Sequence, residues 1–336
     1  MELINLTKFP ADLYRGMIDD VRLFGSVFAR VTYHIVDSVL AISPEQPWKV
    51  SAPPWNCEYC AMDSDEIFYK GGVDVFVFGS AKSTGDRESD RVDIRFAIGE
   101  DFVRYLTVFG ERIWKKESNR LVAGSPHPFK SMPITLENAF GGKDQWDGLD
   151  ITFQYNPWGK GFYLSEESAE GSPLPNIEDP NNLIKNWNDQ PDPVGLMPCP
   201  SDTGIRLRKN VIFDEEKRII KELKPGFFNS AFPDMIAPRV KPGDQVVVEG
   251  MHKDGPIYFV VPDTILLTRL QFGDEVVVNR MQIDQLGIEI DKKRVFISYR
   301  YPFRYKMIPL QYRSCELYLK VSSSKEIITI PATGEI

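Results

Sequence analysis

Between Arg91 and Ile98 the chain alternates: Val92, Ile94, Phe96 and Ile98 are separated by Asp93, Arg95 and Ala97. A period of two is that of a half-buried strand. Gly99-Glu100-Asp101 then predicts a turn and Phe102 to Phe109 a returning strand, so the pair is a hairpin. Val27 to Val36 (VFARVTYHIV) and Val73 to Phe78 (VDVFVF) are runs of β-branched and aromatic residues and also predict strands, with Val39 to Ile42 returning antiparallel to the first.

The last third of the chain repeats this texture. Gln245 to Val248, Ile257 to Val261, Glu275 to Asn279, Val295 to Tyr299 and Leu317 to Val321 read as short strands, and Glu326 to Ile330 as an edge strand. Pro242-Gly243-Asp244, Lys253-Asp254-Gly255 and Asp291-Lys292-Lys293 supply turns between them. Helical signals are few. Short turns are expected at Leu136 to Ala139 and Pro180 to Trp187, and Asp214 to Leu223 (DEEKRIIKEL) is the best helix candidate, ended by Pro225-Gly226. The class is mainly β: antiparallel, sandwich-like sheets with long irregular loops and few short helices. Residues 1–205 are expected to form an N-terminal β lobe with a Pro/Gly-rich loop region, and residues 206–336 a C-terminal β lobe packed against it as one unit.

From Pro126 to Phe162 the pattern changes. Pro126, Pro128, Pro133, Gly141, Gly142, Gly159 and Gly161 punctuate a text loaded with Phe129, Met132, Phe140, Trp146, Phe153, Trp158 and Phe162. Prolines fix φ, glycines allow close backbone approach, and the aromatics demand burial or a partner. An ordered loop system is expected rather than a linker.

Composition narrows the classes. The 336 residues carry a net charge of −8 and a pI near 5.2, which argues against general affinity for nucleic acid or an anionic membrane. No run of about 20 apolar residues offers a membrane span. The opening MELINLTKFPADLYRGM has no basic start followed by an apolar core, so a cytoplasmic location is expected. Cys57 and Cys60 have the CxxC spacing of zinc or thiol-exchange sites, but no second pair or nearby histidine accompanies them; two reduced loop cysteines are the expectation.

Catalytic motifs do not assemble. Gly79 to Gly85 has the outline of a phosphate loop, yet Asp86 and Arg87 follow where Lys-Ser/Thr is required. Nucleophile-elbow and zinc-helix motifs are missing, and His34, His127 and His252 are scattered. Glu137, Asp144, Asp147, Asp150, Glu178 and Asp179 are candidates for a hydrolytic carboxylate pair acting on sugar, with Trp146 and Trp158 as stacking surfaces. Carboxylates beside glycine and asparagine turns more often bind local backbone donors. Neither a cofactor nor a metal is called for, and the reading is not that of an enzyme.

An ordered set of texts gives a more specific lead. It comprises Asp74 to Ala81 (DVFVFGSA) with Gly79, and Leu106 to Trp114 (LTVFGERIW) with Gly110, Arg112 and Trp114. Pro126 to Gly142 follows, with Pro128, Phe129, Pro133, Glu137, Phe140, Gly141 and Gly142, then Asn156, Pro157, Gly159 and Gly161. Pro175, Asn176 and Glu178, and finally Phe228, Asn229 and Asp234, complete it. In this the chain resembles a bacterial family, domain of unknown function 2169, associated with type VI secretion systems. The resemblance spans roughly residues 20 to 300 and departs from the family's pattern at Ile205 to Phe213. It implies an adaptor or chaperone that binds a toxin effector and helps load it onto the trimeric spike protein or its PAAR-type tip. These positions are then structural or partner-binding, with Trp146, Trp158 and Arg112 as candidate anchors, since interfaces favour tryptophan and arginine. A structural subunit and a loop-carboxylate hydrolase are the competing readings.

Overall fold

Twelve strands drawn from both ends of the chain form the largest sheet. They are β1 (Ala11–Met17), β2 (Arg22–Val36), β3 (Val39–Ile42), β4 (Val73–Phe78), β5 (Arg91–Ile98) and β6 (Phe102–Phe109). The others are β7 (Ile177–Glu178), β8 (Ile236–Ala237), β9 (Gln245–Glu249), β10 (Ile257–Val260), β11 (Gln282–Glu289) and β12 (Arg294–Lys306). The computed structural model describes residues 1–320 apart from Asp86 and Asp202, so the expected strand Glu326 to Ile330 lies outside the described residues.

The strand order is β7-β6-β5-β9-β10-β3-β2-β12-β11-β4-β8, with β1 also paired to β2, and the whole curls into a half-barrel. Most ladders are antiparallel, but β3 pairs parallel with β10, and β4 with β11. Strands from residues 1–205 and from residues 206–336 alternate within this one sheet. The chain is mainly β with few short helices, as its pattern indicates. A second sheet joins Leu3–Asn5, Arg313–Leu319, Leu266–Phe272 and Glu275–Arg280.

The β5–β6 hairpin has the expected register, with Ile98 opposite Phe102 and Ile94 opposite Leu106. Val92, Ile94, Phe96 and Ile98 face the core while Asp93 and Arg95 do not. At the centre of the sheet both faces are covered. β4 is buried at all six positions, and β2 from Gly25 through Tyr33. Each fully buried Phe or Val side chain contributes about 1.5–3 kcal/mol, so these central strands hold most of the stability. Three cross-strand pairs set a phenylalanine over a glycine: Phe24 over Gly16, Phe303 over Gly25 and Phe296 over Gly287. A Cβ at any of these glycines would enter the ring, at 2.0–2.3 Å from a ring carbon.

One expectation fails. Asp214 to Leu223 is not a helix but part of a hairpin, Val211–Asp214 against Ile219–Leu223. The Asp214 side chain accepts the Lys217 N–H at 3.0 Å and Arg218 turns with φ 54°, while Ile212, Ile219 and Ile220 favour extended backbone. The helix of this region lies just before it, at Gly204–Asn210. At Leu136–Asn138 the expected turn is a 3-10 turn, whereas Pro180 to Trp187 is irregular.

Candidate functional site

The proline- and glycine-rich stretch closes on itself through backbone crossings. After the turn at Leu136–Asn138, Phe140–Gly141 runs parallel to Lys160–Gly161. Asn156 stands between them, fully buried; its Nδ2 donates to the Leu136 and Phe140 carbonyls at 2.8 and 3.1 Å. Its own carbonyl accepts the Gly142 N–H at 2.8 Å, and Lys160 N–H reaches the Ala139 carbonyl at 3.1 Å. So close an approach requires glycine. A Cβ on Gly141 would lie 2.1 Å from the Asn156 carbonyl oxygen, and Gly141 and Gly142 both have positive φ, at 151° and 98°.

The crossing organises a small core of its own. Phe140, Phe153 and Phe162 pack with Trp114, Leu121, Leu174 and Ile184, and Phe140 meets Phe153 edge-on at 5.0 Å. Asn176 ties this unit to the large sheet, its Nδ2 donating to the Phe109 carbonyl at 3.0 Å. Gly110 passes so near the next chain segment that a Cβ would sit 1.8 Å from the His127 carbonyl oxygen. Pro175 packs against Gly161, while Pro157 is half-buried and Pro128, Pro133 and Glu137 are at or near the surface. Phe129 is half-buried against the main core, and Gly79 sits where β4 ends.

Arg112, expected as a structural or partner-binding position and a candidate anchor, is buried and points inward. Its guanidinium pairs with Glu178, donates to the Pro175 carbonyl at 3.1 Å and lies 3.9 Å from the centre of the Phe109 ring. Glu178 also accepts the Ile184 N–H at 2.8 Å. Burial outweighs the pairing on both sides: it pushes the Glu178 carboxyl above its usual value and the Arg112 guanidinium below its own. Trp146 and Trp158 are at the surface, 59% and 43% exposed. Trp146 rides on a hairpin, Lys143–Trp146 against Leu149–Thr152, whose Leu149 and Ile151 are also exposed. The base of this hairpin is clamped where Phe153 N–H meets the Gly142 carbonyl at 2.9 Å.

Besides Glu178, three of the carboxylates weighed as a hydrolytic pair are engaged by nearby donors. Asp144 accepts from Ser168 Oγ at 2.6 Å and Leu164 N–H at 2.8 Å, Asp150 meets Lys143 and Gln145, and Asp179 accepts the Asn181 N–H. Cys57 and Cys60 face each other with sulfurs 3.9 Å apart in the turn of the hairpin Trp55–Asn56/Ala61–Met62. The Cys60 thiol and the N–H groups of Tyr59 and Cys60 hold the Cys57 thiol down to about 6. Among the described residues no group of three or more His, Cys, Asp or Glu side chains is arranged to hold a metal ion.

A second polar cluster was not expected. Asp74 on β4, Gln285 on β11, Ser298 on β12 and Arg30 on β2 are direct neighbours across four consecutive strands. Arg30 donates to Ser298 and Gln285, both at 2.8 Å, and to Asp65 of the covering loop at 2.7 Å. Lys70 pairs with Asp74 at 2.6 Å and Asp284 at 3.4 Å, and Arg300 with Asp284 at 3.1 Å. Asn229 and Ser230 close the far end: Asp74 accepts the Asn229 Nδ2 at 2.9 Å and the Ser230 and Ala231 N–H groups at 3.1 Å. Phe228 and Asp234, either side of this closure, are at the surface. The signal in the sequence is a polar or charged residue set among buried apolar ones: Asp74 in β4, Asp284 and Gln285 in β11, Ser298 and Arg300 in β12, and Arg30 in β2.

With this geometry in view, comparison of the sequence with protein families is decisive. The chain belongs to the family described as uncharacterized protein conserved in bacteria (DUF2169). The family's sequence model matches residues 22–300, the span from the start of β2 to the middle of β12, and so includes both buried clusters. No curated protein and no solved structure matches the chain.

Proposed function

We propose that this member of DUF2169 is an adaptor or chaperone of a type VI secretion system, working in the bacterial cytoplasm. It binds a toxin effector and presents it to the trimeric spike protein or a PAAR-type tip. The observation that carries this reading is the clamped hairpin 143–152, which holds Trp146, Leu149 and Ile151 in solvent on a rigid base. Large apolar side chains held out in this way fit burial by another protein, where tryptophan is a frequent anchor. Trp158 extends the same surface chemistry. Gly141, Gly142 and Asn156 serve the backbone crossing beneath it.

The test is co-purification with the toxin and spike-tip proteins encoded beside its gene, followed by secretion assays. Deletion of the adaptor is expected to abolish delivery of that one effector, and Trp146→Ala to weaken capture roughly tenfold or more while leaving the melting temperature unchanged. Unchanged effector abundance and secretion after deletion would overturn the reading.

A further inference from the structure

Strand β6 is paired along only part of its outer edge. β7 covers Thr107 and Val108, opposite Glu178 and Ile177, and then the ladder stops. Continued in the same register it would set Pro180 opposite Tyr105, and proline has no N–H to give. Main-chain groups of alternate residues point to the same side of a strand. Phe109 gives its N–H to the Asn176 carbonyl on the outer side, so Tyr105 and Val103 also face outward. The Val103 carbonyl is met by the Arg104 side chain at 2.7 Å, and the Arg104 Nε reaches the Asp234 carbonyl. Among the described residues the outward N–H and C=O of Tyr105 have no such partner in the structure.

A cleft of about 320 Å³ lies along this open edge. Val103, Arg104, Tyr105 and Leu106 all line it, and four consecutive strand residues share one cleft only when it follows the edge, because their side chains alternate between the two faces. Opposite them stand Val194 and Phe232, which are apolar, and a rim containing Asp179, Asp192 and Asp234. Asp192 is paired with Arg208 at 2.5 Å, which leaves the carboxylates of Asp179 and Asp234 on a rim whose one lining cation is Arg104.

We propose that this cleft receives an extended peptide segment of a partner protein, carrying apolar residues at alternate positions with lysine or arginine between them, which adds to β6 where β7 ends. The guest strand takes the position that Pro180 leaves open, pairs with Tyr105 through its main chain, and sets its cationic side chains against the acidic rim. The chain's own residues 321–336 fit this chemistry poorly, since Lys325 is outnumbered there by Glu326 and Glu335. This deepens the adaptor reading by naming how a client segment is held, but its test is independent of any client.

The probe is a phage-displayed library of random dodecapeptides selected on the full chain, with the enriched peptides then synthesised and titrated. The expected peptides alternate apolar and basic residues, and Tyr105→Pro weakens them at least tenfold, since it removes one outward N–H and leaves the β5 ladder intact. As a check that does not depend on how that variant folds, a photo-crosslinking benzoylphenylalanine in place of Tyr105 is expected to capture the peptide. Equal binding to Tyr105→Pro, enrichment of acidic peptides, failure to enrich any, or crosslinking of position 105 to residues 321–336 would each overturn the proposal. If a toxin effector co-purifies normally with Tyr105→Pro, the adaptor reading stands and the cleft is not its client site.

Discussion

Arg112–Glu178 and, beside the row from Asp74 to Arg30, Asp284 with its two cations, Lys70 and Arg300, are both buried charge, yet the two carboxyls are held in opposite electrostatic states. In the first, one cation meets one carboxylate, and loss of water exceeds what the pairing returns, so both partners are drawn toward neutrality. In the second, burial also pushes Asp284 up, but Arg300 and Lys70 together outweigh it and its carboxyl lies below the usual range. Glu289, beside the row, behaves likewise: burial is overcome by Arg294 and by the Trp48 indole at 2.8 Å. The two places are therefore held together by different means. The loop unit is fixed by backbone crossings at glycines, with its ion pair a passenger; the sheet row is fixed by charge, with each carboxylate shared among several donors.

A single methyl group added to the loop unit is expected to do the most damage. Gly110→Ala puts a Cβ 1.8 Å from the His127 carbonyl oxygen. It is expected to cost more than about 4 kcal/mol, read as loss of folded protein or a collapsed urea midpoint. Asp74→Ala should come next, at about 3–5 kcal/mol, because it leaves buried Lys70 with only the longer Asp284 contact and takes the acceptor from the Ser230 and Ala231 N–H groups. Both act on stability, and by mechanisms that differ.

Acid separates the two clusters further, because they respond with opposite sign. Asp284 has a depressed folded-state pKa, so its contribution is present above its usual value of 3.8 and is lost as pH falls through the folded value. Glu178 has a raised one, so its contribution is full below its usual value of 4.5 and is lost as pH rises through the folded value. Urea titrations from acid to neutral pH are therefore expected to show the deficit of Asp284→Asn growing with pH and that of Glu178→Gln shrinking, the latter to about 1 kcal/mol near pH 7. Deficits moving in parallel would erase the distinction.

The smallest effect concerns the loop that covers the row. Cys57 should react with iodoacetamide with a half-maximal rate at about pH 6, its thiolate forming above that value. Cys60, whose thiol is pushed up chiefly by its hydrogen bond to Cys57 and by burial, should lag behind. Equal rates, or a midpoint near that of an ordinary thiol, would mean that the hairpin does not hold the two sulfurs as described. Global stability should not change on alkylation.

How much of this was legible depended on whether a residue's role is written in its neighbours. The β5–β6 hairpin was, because one of its faces is buried and the alternation survives in the text. The Pro126 to Phe162 unit was legible as ordered, since glycines set among large aromatics mark a chain that passes close to itself while burying rings. Which segment each glycine touches was not, because His127 and Asn156 are brought to Gly110 and Gly141 only by the fold. Arg112 shows the same limit: nothing nearby in sequence says that Glu178 waits for it, and an arginine between Gly110 and Trp114 looks like a candidate anchor. Asp214 to Leu223 misled for a different reason. Its charges imitate a helix's order, while Ile219 and Ile220, which prefer strands, sit in a hairpin too exposed for burial to mark them. The row across β4, β11, β12 and β2 was hidden because polar residues inside apolar strands declare themselves as partners only once the strands are placed side by side.

The glycines and asparagines of the Pro126 to Phe162 stretch, on this view, build a rigid base and leave the protruding surfaces to meet partners. Amide hydrogen exchange on the free protein is the decisive measurement, because it compares segments that adjoin in sequence. Residues 139–142 and 156–162 are expected to exchange only as slowly as the amides of β4 and β12, while Lys143–Trp146 and Leu149–Thr152 between them exchange far faster. Exchange of residues 139–142 and 156–162 at the rate of that hairpin would contradict the rigid base, and would make the stretch a moving part rather than a foundation.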